Sequence, residues 1–316
     1  MGLVTFGATS LRLSPPGRGR IADADRFDVT ATGPESNAAV AATSLGTPAV
    51  WLSKVADSPL GRRVEASVRR RGVSIGCLSG QGRQGIRFAE RGSAPRGDST
   101  IEDASGSAIA DIDPDRLPME QVRGADAFYT TGATATCSEG AARACASLLS
   151  ESVGADDVTA FGLGFAESSQ DADAARGIAE ELFPAADTLV ARESELEAVL
   201  GRDGSPREMA HSVAANHEFD TVAVTRGERG AVVVEGSTVH ERDAVDTEVV
   251  DHAGAHDAFT GTFLARLADG DSAAGALAVG VAAATLCRTT PGPLLTTTPA
   301  EIEATVAAMD RERDRR

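Results

Sequence analysis

Lysine is almost absent from this 316-residue chain: Lys54 is the only one, and arginine supplies the rest of the positive charge. Acidic residues number 47 against 30 Lys and Arg, so the formal net charge is −17. A nucleic-acid-binding protein needs a positively charged surface, which this balance does not provide. We therefore expect no nucleic-acid partner.

Aromatic residues are also scarce, at 4% of the chain, whereas Ala and Gly are abundant. Together with the acidic excess, this composition is typical of a protein adapted to concentrated salt, where charge repulsion is screened within a few ångströms. A GC-rich genome that favours Ala, Gly and Arg codons is the alternative explanation, but codon bias does not account for the acidic excess. We expect a halophilic source.

Long apolar runs and targeting signals are missing as well. No uncharged apolar stretch reaches the roughly 18 residues of a membrane span, and no basic segment precedes the first apolar residues at the N-terminus. The cysteines form no CxxC pair and no metal-ligand spacing, which favours buried, unpaired thiols. We therefore expect a cytoplasmic protein with no membrane partner. These cysteines are Cys77, Cys137, Cys145 and Cys287.

Short apolar β-rich runs alternate with Ala-rich helical stretches along the chain. This alternation predicts an α/β fold with a mostly parallel central sheet covered by helices, as a single domain over 1–316. Ligands of such folds gather at the carboxyl ends of the strands. The predicted strands are 3–7, 49–53, 127–131, 158–163, 188–191 and 221–225, and the predicted helices include 36–45, 59–71 and 139–149.

Two segments, about 11–32 and 86–112, contain no convincing helix and are rich in Arg, Gly, Asp and Ser. We interpret them as small antiparallel strands that form a β-rich lid over the carboxyl ends of the sheet, because active-site lids are commonly built from such insertions. The alternative is a pair of mobile surface loops.

The most informative stretch is DHAGAHDAF, residues 251–259. It follows an apolar pair and precedes a helical run, so Gly254, Ala255 and His256 are expected in a tight turn that opens a helix. Unpaired amides at a helix N-terminus suit an anion such as a phosphate. Asp257 could accept the proton of a hydroxyl that attacks this phosphate. Alternatively, Asp257 is only a favourable residue for a helix start.

Five ordered motifs resemble those of ribokinase-like (PfkB) carbohydrate kinases. DHAGAHDAF looks like the C-terminal signature of that family, which usually reads Asp-Thr-Thr-Gly-Ala-Gly-Asp-x-Phe. The opening segment also resembles the 2-keto-3-deoxygluconate kinase branch, as do GRQG at 82–85 and PRG at 95–97. The other family motifs are GPESNAAVAA at 33–42, KVADSPLG at 54–61, RGV at 71–73 and TRGERG at 225–230.

The resemblance implies a ribokinase-like αβα sandwich with a β-rich lid, which uses ATP and Mg²⁺ to phosphorylate a hydroxyl of a small sugar or sugar acid. Self-association through the lid is a further expectation, since family members often dimerise there. The implied roles are Asp257 as catalytic base, Gly254, Ala255 and His256 as anion hole, Thr225, Gly227 and Gly230 as ATP contacts, Gly33, Asn37 and Arg96 as substrate contacts, and Glu195 as a magnesium contact through water.

Several positions depart from the family pattern. His256 replaces a glycine, which costs backbone freedom if φ is positive, although a protonated His256 could reach the phosphate. Arg192 replaces the Asn of an Asn-x-x-Glu motif, which weakens the magnesium argument or lets Arg192 contact phosphate. The stretch 161–167 lacks the Asp-x-Asn-x-Arg of the keto-acid branch, and 101–105 lacks its lid Tyr and Arg.

These departures leave the substrate open. The preferred one is 2-keto-3-deoxygluconate, and another hexose, a pentose or a nucleoside is an alternative. A keto-acid carboxylate favours a bidentate arginine. Arg87, Arg91 and Arg96 of the lid could replace the missing ones, or could simply be solvated. The alternative from another class is a diverged, catalytically weak homologue that binds nucleotide or sugar as a regulatory protein.

Overall fold

A computed structural model of the chain describes residues 2–92, 95–152, 154, 157–165 and 171–314. The strands of these residues are β1 (Leu3–Phe6), β2 (Ser10–Ser14), β3 (Asp28–Thr32), β4 (Ala49–Ala56), β5 (Ser74–Gly80), β6 (Ile86–Glu90), β7 (Ser99–Asp103), β8 (Ala127–Thr131), β9 (Val158–Gly162), β10 (Thr188–Arg192), β11 (Thr221–Thr225), β12 (Ala231–Glu235) and β13 (Thr238–Arg242). The helices are α1 (Pro34–Ser44), α2 (Pro59–Arg69), α3 (Met119–Arg123), α4 (Gly132–Ala135), α5 (Glu139–Glu151), α6 (Ala172–Leu182), α7 (Glu193–Leu200), α8 (Pro206–His217), α9 (Ala255–Ala268), α10 (Ala273–Cys287) and α11 (Pro299–Arg313).

The described strands form a nine-stranded central sheet in the order β13-β12-β11-β10-β9-β8-β1-β4-β5. All neighbours from β11 to β5 pair in parallel, and β12 and β13 add an antiparallel hairpin at one edge. The strand order reverses between β1 and β8, a point where α/β sheets open a crevice at their carboxyl ends. The predicted α/β class with a mostly parallel sheet is confirmed.

Helices cover both faces of the central sheet, because its strands bury side chains on both sides. Along β4, Trp51 packs into the core on one face and the next residue, Leu52, into the core on the other. The first core contains side chains of α1, α2, α9, α10 and α11, and the second those of α5 to α8. The result is the predicted αβα layering.

A second, four-stranded sheet has the order β3-β2-β6-β7, and we call it the lid sheet. Its strands lie in or at the edge of the two segments predicted to leave the main sheet, so the alternative of surface loops without strands is wrong. The expected antiparallel pairing occurs within each segment, between β2 and β3 and between β6 and β7, and a parallel pairing of β2 with β6 joins the two segments. The two excursions each supply a hairpin, and the hairpins join side by side.

Some of the observed strands were not predicted from the sequence. β5 was not predicted because its sequence, SIGCLSG, has two glycines and little β-branched character. β12 reads AVVVE, a run of β-branched residues that could have identified it. The predicted helix and strand boundaries otherwise differ from the observed ones by only a few residues.

Candidate active site

A cleft of about 1070 Å³ lies between the lid sheet and the carboxyl ends of the central strands. Its walls include Gly33 before α1, Arg192 at the end of β10, Thr225 at the end of β11, and the turn that precedes α9. Because the carboxyl ends of parallel strands meet at one edge of the sheet, residues distant in the sequence converge here. The cleft has the size of a small-molecule site.

The N-terminus of α9 opens onto this cleft. Gly254 caps the helix with φ 76° and no side-chain capping bond, and its carbonyl accepts the first helical hydrogen bond from Ala258 at 2.8 Å. A Cβ at Gly254 would lie 1.8 Å from the carbonyl oxygen of Pro293, so both the conformation and the space require glycine. The first-turn amides, free of a capping side chain, suit an anion at this point.

The positive φ in this turn belongs to Gly254 and not to His256, which lies in the first turn of α9. The expected cost of a side chain at position 256 therefore does not arise. His256 Nδ1 lies 2.8 Å from Thr225 Oγ1, which joins the predicted anion hole to the predicted ATP motif. Burial, with the charge of Arg192 as a second cause, holds the pKa of His256 well below its ordinary value. These observations favour a neutral His256 over a protonated one.

Asp257 follows in the same helical turn and is 7% exposed. Its Oδ2 accepts a hydrogen bond of 2.8 Å from Asn37 Nδ2. Burial raises the pKa of Asp257, against the opposing effects of Arg192, the Asn37 bond and Arg87. A carboxylate with a raised pKa is a better proton acceptor than an ordinary aspartate, as a general base requires.

Asn37 has a role that the sequence analysis did not predict. Besides Asp257, its amide group donates to Thr32 Oγ1 at 3.2 Å and accepts from the Gly33 amide at 3.4 Å. Asn37 and Asp257 meet because α1 and α9 pack closely: a Cβ at Gly261 would lie 2.0 Å from the Ala38 carbonyl oxygen. Asn37 therefore orients the carboxylate of Asp257, and its predicted contact with substrate stays a prediction.

Glu195, the predicted magnesium contact, is 2% exposed and is not among the residues that line the cleft. Its carboxylate accepts from the Arg192 amide at 2.8 Å, from Arg192 Nη1 at 2.6 Å and from the Phe165 amide at 3.0 Å. The first of these bonds caps α7. Arg192 is therefore held by Glu195 at the wall of the cleft, and a water-mediated contact between Glu195 and magnesium stays a prediction.

The described residues contain no group of three or more His, Cys, Asp and Glu side chains that could hold a metal. Mg²⁺ in phosphoryl-transfer sites is usually held by one or two carboxylates together with the phosphates of the substrate. The donor set at this cleft, with its uncapped helix N-terminus for phosphate, fits a metal that arrives with a nucleotide.

The turn after β11 forms the wall beside His256. Gly227 and Gly230 have φ values of 61° and 89°. A Cβ at Gly230 would lie 2.0 Å from the Arg242 carbonyl oxygen, whereas one at Gly227 would meet nothing within 4 Å. Arg288 Nη1 donates to the Gly227 carbonyl at 3.0 Å and fixes this turn. Thr225, Gly227 and Gly230 all line the cleft, as their predicted ATP contacts require.

Glu35 is a buried carboxyl group that the sequence analysis missed. Its Oε1 accepts from Thr131 Oγ1 at 2.6 Å and Thr134 Oγ1 at 2.7 Å, and its buried Oε2 has no hydrogen-bond partner among the described residues. Burial, and to a lesser degree the charge of Asp257, raises the pKa of Glu35 to about 7. The available signal was an acidic residue inside the Gly33–Asn37 motif, the single charged residue of α1.

Not every predicted site residue reaches the cleft. Gly33 lines it, but Arg96 is exposed and is not among the lining residues of the described chain. The stretch 161–167, which replaces the Asp-x-Asn-x-Arg pattern, is described only up to Phe165, so Ala166 and Glu167 lie outside the described residues. No helix in the described parts of the chain is long and apolar enough to cross a membrane.

Sequence comparison finds relatives over the whole chain. A family model described as pfkB family carbohydrate kinase matches residues 2–300. A 2-dehydro-3-deoxygalactonokinase of Haloferax volcanii is 43% identical over 314 residues and covers 99% of both proteins. A 2-dehydro-3-deoxygluconokinase of Thermoproteus tenax is 29% identical over 290 residues, which cover 90% of this chain and 87% of the relative.

Solved structures agree with the observed architecture. A 2-dehydro-3-deoxygluconokinase from Thermotoga maritima matches with a TM-score of 0.91 and 27% identity, over 97% of this chain and 99% of that one. A putative ribokinase II from E. coli in complex with ATP and Mg²⁺ matches with a TM-score of 0.86 and 20% identity, over 97% and 99% of the two chains. The predicted ribokinase-like sandwich with a small second sheet is confirmed.

Proposed function

This chain belongs to the pfkB family of carbohydrate kinases, and we propose that it transfers the γ-phosphate of ATP to a hydroxyl of a 2-keto-3-deoxy sugar acid. The observation that carries this proposal is the pair formed by Asp257 and the uncapped N-terminus of α9, which places a proton acceptor beside an anion site. The kinase relatives favour an enzyme over the alternative of a catalytically weak binding protein.

The residues divide the reaction between them. Asp257, oriented by Asn37, accepts the proton of the attacking hydroxyl as its oxygen forms a bond to the γ-phosphorus and the bond to the bridging oxygen of ADP breaks. The amides of Gly254, Ala255 and His256 hold the transferring phosphoryl group. Thr225, Gly227 and Gly230 contact the remainder of the nucleotide. Mg²⁺ supplies charge neutralisation on the phosphates when it is bound with ATP.

Two sugar acids are the first candidates. The Haloferax volcanii relative is named for the galacto acid and the Thermoproteus tenax and Thermotoga maritima relatives for the gluco acid. The identity of 43% to the former favours 2-keto-3-deoxygalactonate, and 2-keto-3-deoxygluconate is the second candidate. Because a pocket discriminates weakly between similar substrates unless a buried polar group is left unpaired, turnover of both is expected.

The proposal is tested by release of ADP in molar KCl, with Mg-ATP and either acid as substrates. We expect turnover by the natural chain, and a loss of about 10²–10⁴-fold in kcat for Asp257→Asn, since the amide cannot accept the proton. Asp269→Asn, at the other end of α9, is the matched control and should keep full activity. Folded natural protein without turnover of any sugar, or an active Asp257→Asn variant, would contradict the proposal.

A further inference from the structure

An acid substrate needs a cation in the cleft, because burying a carboxylate without a partner is costly. Among the described residues the permanently charged candidates in the cleft are arginines, since the single lysine, Lys54, is not among its lining residues. The arginines that line it are Arg12, Arg87, Arg91, Arg192, Arg226 and Arg288. Which of them binds the acid can be decided from their existing partners.

Two of the lid arginines are held by one buried carboxylate. Both Nη atoms of Arg12 lie 3.4 Å from Asp251 Oδ2, and the Arg12 side chain is 8% exposed. Arg91 lies 3.8 Å from the same oxygen and donates to the Val250 and Gly17 carbonyls at 3.0 and 2.9 Å. Both residues fasten the lid sheet to the loop before α9, and their guanidinium groups are occupied.

The arginines of the opposite wall each donate at least one Nη hydrogen bond to the protein. Arg192 Nη1 donates to Glu195, as described above, and Arg288 Nη1 donates to the Gly227 carbonyl. Arg226 donates through Nη1 to Glu241 and through Nη2 to the Arg229 carbonyl at 2.8 Å. Each of these groups holds part of the cleft wall in place.

Arg87 differs from the other five. Its buried Nε lies against Glu102 Oε1, the residue opposite it on β7, in an ion-pair contact without hydrogen-bond geometry. Its two Nη atoms donate no hydrogen bond to any described residue. The side chain is 35% exposed and lines the cleft, and its charge reaches Asp257, whose carboxylate it stabilises.

We propose that the two Nη atoms of Arg87 bind the carboxylate of the sugar acid and so make Arg87 the residue that selects an acid over a neutral sugar. This inference rests on the proposed function. A guanidinium group that uses Nε for one partner still presents a pair of parallel N–H bonds, the geometry that a carboxylate accepts. In a 2-keto-3-deoxy hexonic acid the primary hydroxyl is at the opposite end, so a carboxylate held at the lid directs that hydroxyl toward Asp257.

The alternative is that Arg87 only fixes the lid sheet through an ion pair with β7, and Arg83, which lies just before β6, is an example of that role. Arg83 pairs with Asp103, also on β7, but it does so through both Nη atoms, with Nη1 at 2.7 Å from Oδ1. Both Nη atoms of Arg83 therefore already donate hydrogen bonds to Asp103, and Arg83 does not line the cleft described above. Arg83→Gln removes a lid ion pair without touching the proposed carboxylate site.

The experiment measures kcat and KM for the acid and for its neutral C1 amide, in the natural chain, Arg87→Gln, Arg87→Lys and Arg83→Gln. We expect Arg87→Gln to raise KM for the acid by about 10–100-fold, as loss of a charge-assisted bidentate contact predicts, with little change in KM for the amide. Arg87→Lys should recover part of the loss, because a point charge replaces the paired donors. Arg83→Gln should behave like the natural chain.

Equal losses on acid and amide in Arg87→Gln would assign Arg87 a structural role and overturn the inference. An unchanged KM for the acid would also overturn it, and would leave the proposed function standing. A natural chain that phosphorylates neutral sugars and shows no preference for the acid would overturn both, so the two failures are distinguishable.

Discussion

Asp257 and Glu35 show how burial gives two carboxyl groups different tasks. Asp257 accepts a hydrogen bond from Asn37 and has Arg192 and Arg87 nearby, and these partially offset the rise in its pKa. Burial raises the pKa of Glu35 to about 7, because its hydrogen bonds from Thr131, Thr134 and the backbone do not offset the loss of water and no cation lies among the causes, while Asp257 adds a like charge. At neutral pH a substantial share of Glu35 is therefore protonated, whereas the environment of Asp257 contains the cations that keep a base ionised.

Glu35 makes the stability of the protein dependent on pH. Its pKa is about 7 in the folded chain and near the ordinary 4.5 in the unfolded chain. Between these values the folded state binds more protons, so the free energy of unfolding falls as pH rises from about 4.5 to about 7. In Glu35→Gln this contribution, on the order of 3 kcal/mol, is absent, and urea titrations of both proteins at several pH values would measure the difference. Parallel pH profiles for the two proteins would contradict the assignment.

At the scale of the element, the position of α9 is set by the turn at Gly254 that begins the helix. The helix begins at a glycine with a positive φ packed against Pro293, is pressed onto α1 at Gly261, and carries Ala255, His256 and Asp257 in its first turn. The anion site and the base are therefore fixed by one turn, and both depend on the same close contacts. This arrangement explains why small residues occur at both Gly254 and Gly261.

Gly254→Ala should damage both stability and activity. The left-handed conformation costs alanine roughly 1–2 kcal/mol, and the contact with Pro293 requires the turn to move. Gly270→Ala, beyond the other end of α9, is the matched control: its φ is 85°, but a Cβ there meets nothing within 4 Å. We expect a moderate fall in Tm for Gly270→Ala with normal kcat, and a larger fall with lost kcat for Gly254→Ala. Equal effects on Tm and no effect on kcat would show that the Pro293 contact is unimportant.

At the scale of the whole molecule, the net charge of −17 is the main source of electrostatic repulsion in the folded protein. Many acidic side chains are paired with arginines at the surface, yet the excess remains and repels itself at low ionic strength. Isolated surface pairs contribute little and are screened by salt, so the balance of these effects favours the folded state at high salt. Self-association through the lid sheet stays a prediction.

The melting temperature should rise as KCl increases from about 0.1 M to above 1 M, over which the screening length falls from about 10 Å to about 3 Å. A triple variant with Asn at Asp23, Asp25 and Asp28, which are all exposed, lowers the negative charge by three and should depend less steeply on salt. The measurement is a thermal melt at each KCl concentration. A Tm that does not change with KCl would refute the adaptation to salt.

The sequence by itself determined the α/β class, the parallel strands and the turn that contains Gly254 and Asp257, because each depends on local composition and spacing. It also pointed to the lid segments, though not to the parallel pairing of β2 with β6. The stretch 251–257 was singled out by its own residues and 225–230 by its resemblance to a family motif, and both stretches line the cleft.

Only the tertiary structure decided which side chains share a partner. Asn37 and Asp257 are far apart in the sequence, and the residues around each of them do not predict their hydrogen bond. The burial of Glu35, the neutral state of His256 and the occupied carboxylate of Glu195 likewise depend on what packs against them. The sequence offered Arg87, Arg91 and Arg96 of the lid without distinguishing between them. The unused Nη atoms of Arg87 became apparent only from the three-dimensional arrangement, because ion pairing depends on distance in space and not on chain order.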